Sequence, residues 1–582
     1  METKEYIVAL HEGVDYDQFW LDMENVTSGL PHIPDRAVSI TNDRPVFEQI
    51  CEYALTDDEA ERVRNDPRVY SIGEPYENLP WIEIKSFATQ SDNFTKPVNA
   101  NSNNNFVNWG LPRHSSNVNV YANNSNPSYS YALDGTGVDV IISDSGIQAD
   151  HPEFTDSNGV SRVYNPGWDT IATQVNASIK TGWDAVSYVT GNNPIDGGHG
   201  THVAGTVAGK TYGWAKNARI LSLKSLGTID GSNISTADVF SMIKYWHQNK
   251  GSNRPTVVNM SWGSSISAKF LGITSASQIS QVKQAISQIT YRDTNYSTNG
   301  SINPDSFYKD KGLLIGTDSF TLSSISAGVP YSSTTYDTHI NNMTTAGIIL
   351  VHSAGNSSYK IDISGGADYN NNFIFNLGVF LPGTGIYQFY YNRGSDPKIP
   401  ITVGSLDSAT SGTTDQAATY SMKGPGVDIW SAGTNIMSSW VTNDSASVSY
   451  FKNNEFKQKN LQGTSMASPQ IAGICALYLQ KNPTATPSEV KNWLLTNATN
   501  TILNTGTYTD YTNPRSLLGS QPRVAYQNLQ AAPTTKSYIK DDTNTWREAR
   551  AVYIKLDNGT WKQARAGWQK NNAGAWVKIY QL

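Results

Sequence analysis

Charge and cysteine are the two things this chain is short of. Of 582 residues, 43 are basic and 50 acidic, giving a net charge of −7 with charged side chains at 16%. No basic stripe is present, which excludes the electrostatic footprint of a nucleic-acid binder. Two cysteines, Cys51 and Cys475, are too few for a disulfide framework and fall in separate predicted domains. Long apolar runs are missing too, and none reaches the ~20 residues that a membrane span requires. Met1-Glu2-Thr3-Lys4-Glu5-Tyr6 has no basic region leading into an apolar core, so no ordinary signal peptide is expected. What stands in for charge is Asn, Ser, Thr, 46 glycines and 31 tyrosines. Such a surface suits an exposed or extracellular setting better than a typical cytosolic enzyme. The length is ample for a large core and more than one domain.

Residues 1–78 read as a unit. Tyr6 to Leu10 is a predicted strand, Tyr16 to Met23 a short amphipathic helix, and Phe47 to Leu55 a further strand. Thr56-Asp57-Asp58-Glu59 has capping-box spacing before a helix ending near Asn65, and Arg68 to Ile72 closes the unit as a strand. Residues 79–128 form a linker or extended arm, rich in Asn, Ser and Pro from Asp92 onward. A large α/β domain occupies 129–530, with insertions at about 265–340 and 360–395; Ile279 to Ile289 is read there as a helix. After a polar linker at 531–545, tryptophans recur every 15 residues at Trp546, Trp561 and Trp576. Asp557-Asn558-Gly559 and Asn571 to Gly574 supply turns between them, which predicts short β-hairpins over 546–582.

The chemistry concentrates in four places. Asp144 ends the β-branched run Val138, Val140, Ile141, Ile142, the pattern of a parallel strand buried on both faces. Open α/β sheets carry their chemistry at the carboxyl ends of such strands. His199 heads a small-residue helix over Thr201 to Ala208, three residues before His202. A zinc reading of the two would need more ligands. Ser465 lies where Gly463 opens into the apolar helix Ile471 to Leu479, beside first-turn N–H groups able to receive negative charge. Asn356 follows the predicted strand Ala346 to Val351. Taken singly, Ser465 could be an N-cap, and Asp144 and Asn356 turn residues.

Taken together, these blocks form a pattern. Ser143-Asp144-Ser145-Gly146, His199-Gly200-Thr201-His202-Val203-Ala204-Gly205-Thr206 and Gly463-Thr464-Ser465-Met466-Ala467-Ser468-Pro469 occur in the order Asp, His, Ser. With Val257 to Gly263 as a fourth block, the chain resembles the subtilisin-like serine proteases (subtilases) over most of residues 115–525. The resemblance implies a parallel-sheet catalytic domain flanked by helices, a small α+β (ferredoxin-like) inhibitory prodomain at 1–78, and hydrolysis of protein or peptide substrates. It assigns Asp144, His199 and Ser465 as the triad, and Asn356 with the Ser465 N–H as the oxyanion hole. Ser261, Trp262, Gly263, Ala354 and Gly355 then line the substrate. Trp262 would either cap the pocket at its rim or pack away from it, and His202 is a packed structural histidine.

The family's prodomain lies intramolecularly across the catalytic cleft, and self-cleavage would fall between Glu74 and about Gly110. Val107-Asn108-Trp109-Gly110-Leu111 is similar to the start of a mature domain. No cofactor is needed for catalysis. Family members often hold structural calcium, but no ligand run here locates a metal site. The Trp/Lys/Tyr alternation of 546–582 resembles short modules of phage tails and other virion proteins. The expectation is a virion-associated endopeptidase, in the particle or released by lysis, with a possible assembly partner through 546–582 and a cytoplasmic enzyme as the alternative. A latent or non-proteolytic structural or adhesion component is the other function this sequence allows.

Overall fold

The structure, a computed structural model, describes residues 3–11, 13–25, 29–43, 49–75, 82–86, 88–90, 108–117, 131–156, 158–190, 198–266, 286–297, 307, 310–311, 329–330, 336–376, 385–394, 401–407, 414–445, 447–500 and 515–529, and backbone strands within 538–581. Two compact units result: residues 1–129 with 134–527, and 130–133 with 528–582.

The first unit opens with β1 (Lys4–Leu10), α1 (Tyr16–Glu24), β2 (Ile40–Asp43), β3 (Ile50–Leu55), α2 (Asp57–Arg64) and β4 (Val69–Gly73), in the antiparallel order β2-β3-β1-β4. Tyr6, Val8 and Leu10 share one face of β1, as Cys51, Tyr53 and Leu55 do on β3, because strand side chains alternate. Phe19 and Met23 of α1 and Ala60 and Val63 of α2 cover that face. Thr56 and Glu59 form the expected capping box at the start of α2. β2 is the one element of this region that the sequence pattern did not predict. Ile7, Ala9 and Ile50 on the opposite face are buried as well.

Two short strands follow, β5 (Ile82–Ser86) and β6 (Ala88–Gln90), and their pairing concerns the site. β7 (Asp139–Asp144) is next, then α3 (Gly198–Ala208), β8 (Arg219–Lys224), α4 (Thr236–Asn249), β9 (Thr256–Met260) and β10 (Trp262–Ile266). The chain continues through β11 (Ile286–Tyr291), β12 (Thr294–Ser297), α5 (Asp337–Thr345), β13 (Ile349–Ser353), β14 (Asn372–Asn376), β15 (Ile386–Tyr390), β16 (Ile401–Asp407) and β17 (Ile429–Ala432). β18 (Asn453–Gly463), α6 (Thr464–Lys481) and α7 (Pro487–Asn497) complete it.

The seven-stranded central sheet runs β8-β7-β9-β13-β16-β17 with each of these neighbours parallel, and the short strand Gln416–Ala417 adds antiparallel to β16. The chain leaves β7 first for β8 on one side and then for β9 on the other. That reversal makes the carboxyl end of β7 a topological switch point, the place where α/β sheets open a crevice. All six residues of β7 are buried, as a strand covered on both faces should be. Helix α6 is buried nearly all round, which marks it as a central element rather than a surface one.

The segment similar to a mature-domain start is built into this core. Asn108 Nδ2 donates to Gln470 Oε1 at 3.0 Å and Trp109 Nε1 to the Thr434 carbonyl at 2.7 Å. Arg113 and Asp415 form an ion pair with both side chains fully buried.

One expectation is overturned. Ile286 and Ile289, read as part of a helix, lie on strand β11, which pairs with β12 and β14. β14 pairs in turn with β15, so the two insertions join in one sheet ordered β12-β11-β14-β15. An i, i+3 apolar pair fits either structure, and here a pairing some 80 residues away along the chain decided it. Residues 267–285 lie outside the described residues.

In the second unit, three two-stranded hairpins pair Tyr538–Lys540 with Trp546–Glu548, Tyr553–Lys555 with Trp561–Gln563, and Ala566–Lys570 with Trp576–Gln581. Lys540, Lys555 and Lys570 stand opposite Trp546, Trp561 and Trp576 in register. The first hairpin opens at Tyr538, inside the 531–545 stretch read as a linker, so the repeat begins one strand earlier than the tryptophans alone indicate. Among the described residues no helix is long and apolar enough to cross a membrane.

Candidate active site

Asp144 is the last residue of β7 and is fully buried. Its Oδ1 lies 2.7 Å from His199 Nδ1 and accepts the Ser145 N–H, also at 2.7 Å. A carboxylate facing Nδ1 fixes the proton there, so Nε2 carries the lone pair. His199 is brought this close because α3 packs tightly on the turn after β7. An ideal Cβ on Gly200 would sit 2.3 Å from the Gly146 carbonyl oxygen and 3.2 Å from Asp144 Cβ. Only a glycine lets the helix approach so near.

His202, one turn along, is a different kind of histidine. Its Nε2 faces two carbonyls, Ile436 at 2.9 Å and Lys459 at 3.1 Å, and must therefore be the protonated nitrogen. Burial pulls its pKa down to about 3, which keeps it neutral. It braces α3 against the strand Ile436–Trp440 and β18.

Ser465 lies in the first turn of α6, and Gly463 makes the junction with β18 at φ 152°, ψ 162°, a region open only to glycine. Pro469 has no N–H to give the Ser465 carbonyl, four residues back. Ser261 Oγ fills that gap at 3.0 Å, itself accepting from Asn259 Nδ2 at 2.8 Å. The Ser465 hydroxyl donates to the Ser261 carbonyl at 2.9 Å. His199 Nε2 has no partner among the described residues.

Asn356 is aimed by the residue before Ser465. Its Oδ1 accepts from both the N–H and the hydroxyl of Thr464, each at 2.9 Å. That commits the oxygen and leaves the amide NH₂ as the group free to meet an incoming oxygen. The Thr464 hydroxyl also accepts the Gly355 N–H at 3.0 Å. Ala354, at the end of β13, is buried and donates its N–H to the Val403 carbonyl at 2.9 Å.

Trp262 takes the second of its two possible places. Its ring is fully buried, stacked on Phe240 at 22° with centroids 6.4 Å apart, and its Nε1 donates to the Ser143 carbonyl at 2.9 Å. It therefore packs away from the cleft and does not cap it. Its own carbonyl accepts from His352 Nε2 at 2.5 Å. His352 and Thr464 are two residues that sequence reasoning missed as parts of the site. Thr464 was legible in principle, as the neighbour of Ser465. His352 had no signal beyond a polar residue in a buried strand.

Peptide is already present on both sides of Ser465, supplied by the chain itself. β5 pairs antiparallel with β10, setting Ser86 opposite Trp262 and Lys85 opposite Gly263. β6 pairs antiparallel with the end of β18, setting Ala88 opposite Gly463 and Thr89 opposite Gln462. Within the same unit the N-terminal sheet region makes further contacts: Tyr70 Oη donates to Asp337 Oδ2 at 3.2 Å, and Asn342 Nδ2 to Gln49 Oε1 at 3.4 Å. Among the described residues no cluster of three or more His, Cys, Asp or Glu is arranged to hold a metal ion, and the calcium expectation gains no location.

A model of the subtilase family matches residues 135–519. An extracellular serine proteinase of Thermus sp. (strain Rt41A) is 27% identical over 456 residues, covering 78% of this chain and 72% of that protein. Subtilisin-like protease 2 of Pseudogymnoascus destructans is 26% identical over 490 residues, 83% of this chain and 82% of the relative. Alkaline serine exoprotease A of Vibrio alginolyticus is 26% identical over 456 residues, 78% and 55% of the two chains. Among solved structures, fervidolysin from Fervidobacterium pennivorans is similar with a TM-score of 0.47 and 17% identity, over 97% of this chain and 67% of that one.

Proposed function

The chain belongs to the subtilase family and is a serine protease of that family; from that premise we propose an endopeptidase that cuts extended peptides at Ser465 and is held in check by its own N-terminal residues. The observation that carries this reading is the pairing of β5 and β6 with two edges that meet beside Ser465. A peptide laid along both edges extends to either side of the nucleophile, as internal cleavage requires.

In the proposed mechanism the Ser465 hydroxyl turns from the Ser261 carbonyl to His199 Nε2, gives up its proton there and attacks the peptide carbonyl. Asp144 holds the imidazole tautomer and stabilises the imidazolium without itself taking the proton. The oxyanion rests between the Asn356 NH₂ and the Ser465 N–H. The imidazolium then protonates the leaving amine, and water repeats the cycle on the acyl-enzyme. Ser261, Gly263, Ala354 and Gly355 border the peptide.

Residues 1–78 act in this reading as an inhibitory prodomain, with the strands Ile82–Ser86 and Ala88–Gln90 as the inserted pieces. The register of β5 and β6 directs cleavage to the stretch Ser86-Phe87-Ala88. The three-hairpin repeat of the second unit supports attachment to a virion or tail assembly, which co-sedimentation of epitope-tagged protein with particles tests. Latency is the second reading, favoured by the complete burial of Ser465.

Fluorophosphonate labelling with intact-mass analysis of the parent and Ser465→Ala separates these. A labelled parent, cut between Ser86 and Ala88, and an uncut, unlabelled variant are expected. An uncut parent that stays unlabelled after limited proteolysis of the N-terminal residues would establish the non-proteolytic role instead.

A further inference from the structure

The Asp144 carboxylate is held by little, while its backbone pairs with β8 opposite Lys224 and its carbonyl accepts the Ser225 N–H at 2.6 Å. Its Oδ1 meets His199 and the Ser145 N–H, while Oδ2 has no hydrogen-bond partner among the described residues. Its direction therefore depends on the backbone at the end of β7. There the parallel pairing with β9 stops, the last pair being Ser143 with Met260. Beyond that pair the Ser143 carbonyl is held by the Trp262 indole at 2.9 Å.

Trp262 is also the first residue of β10, which pairs with β5 on one side and, at Ser265 and Ile266, with Val329–Pro330 on the other, and it lies opposite Ser86. Neighbouring residues of a strand direct their backbone groups to opposite sides. The Trp262 carbonyl accordingly turns from the peptide edge and accepts from His352 at 2.5 Å. One residue thus touches three strands: β10 by its backbone, β7 by its indole N–H and β13 by its carbonyl. Stacking on Phe240 of α4 holds the ring where only the N–H reaches Ser143.

We propose that Trp262 is a positioning residue, which ties the edge that receives peptide to the strand end that aims Asp144 at His199. Filling the edge with a peptide strand fixes β10, and the indole carries that order to Ser143 and so to Asp144. This rests on the serine-protease reading above. The indole does not touch the reacting atoms and acts only through the Asp144–His199 pair.

The test is Trp262→Phe, which keeps a ring on Phe240 and deletes the donor. Active sites are titrated with fluorophosphonate, so that kcat counts working enzyme only, and kcat and KM for a peptide spanning the site are followed against pH. The groups that face His199 here are Asp144 and, one turn along α3, His202. Expected are a fall in kcat of about tenfold, a KM within about twofold of the parent, and an acidic limb displaced to lower pH, since a misaimed Asp144 stabilises the imidazolium less. A kcat per titrated site within twofold of the parent, a loss confined to KM, or an unmoved limb would overturn the inference. Should Trp262→Phe not fold, His352→Leu and His352→Gln are judged on the same readouts. The glutamine can keep a donor to the Trp262 carbonyl and should retain activity that the leucine loses; equal activity of the two would also overturn the proposal. A parent that takes no fluorophosphonate defeats the protease reading itself, a result distinct from any of these.

Discussion

Thr464→Val removes one oxygen from the core of the site and keeps the side-chain shape. The lost hydroxyl accepts the Gly355 N–H at 3.0 Å and donates to Asn356 Oδ1 at 2.9 Å. Two effects of different kind follow. The buried Gly355 N–H is left without its acceptor, which costs about 1–3 kcal/mol of stability. Asn356 keeps the Thr464 N–H but loses half of the pair that orients its amide. A donor of this type contributes about 3–4 kcal/mol to the transition state when well aimed. Partial loss of aim should therefore lower kcat by roughly 5- to 100-fold, with KM within about twofold, because ground-state peptide makes little use of the donor. Thermal unfolding and steady-state kinetics on one preparation measure both. Asn356→Ala provides the floor, and Thr464→Ser, which retains the hydroxyl, should recover most of kcat. If Thr464→Val lowers the melting temperature and leaves kcat at the parent value while Asn356→Ala does not, Thr464 has no part in aiming the amide.

Gly200→Ala forces a methyl group to within 2.3 Å of the Gly146 carbonyl oxygen, a backbone atom with nowhere to go. We expect α3 to shift, a loss of roughly 1–3 kcal/mol of stability and sharply reduced fluorophosphonate labelling; normal labelling would show that the helix tolerates the displacement. Lys423 is buried, gives its ammonium among the described residues only the Thr419 and Ser421 carbonyls, and has its pKa pulled down to about 7, mainly by burial. The unfolded chain therefore binds more protons than the folded one between about pH 7 and 10.5, so this group's contribution to stability rises with pH across that window. Comparing Lys423→Met with the parent by thermal unfolding at pH 6 and 9.5 should give a variant relatively more stable at the lower pH. An equal difference at both would show that Lys423 does not titrate in this range.

The parts of the site that the sequence disclosed are those whose chemistry constrains their neighbours. Asp144 needs a buried strand before it, His199 needs Gly200 beside it, and Ser465 needs Gly463 before it and tolerates Pro469 after it. Each leaves a mark within a few residues. Trp262 was left open because a strand-end side chain can face either way, and Phe240 and Ser143, which decided it, lie 22 and 119 positions away. β11 was misread for the same kind of reason, since the partner that makes it a strand begins at Asn372. Ile82–Ser86 and Ala88–Gln90 read as the start of a linker because their structure comes from the edges they pair with and from no pattern of their own.

The pairing of Ala88 with Gly463 joins residues more than 370 positions apart. At the usual 5–20 residues per second of synthesis, roughly 20–75 s separate the appearance of these partners. The four-stranded sheet of residues 4–73 has its own apolar core and can form early in that interval. Helix α6, which packs on the parallel sheet and carries Ser465, emerges late. A ribosome-bound chain thus spends most of its manufacture without Ser465, while every strand of the N-terminal sheet is already made. By the time Ser465 is made, β5 and β6, the strands that pair on either side of it, have long been available.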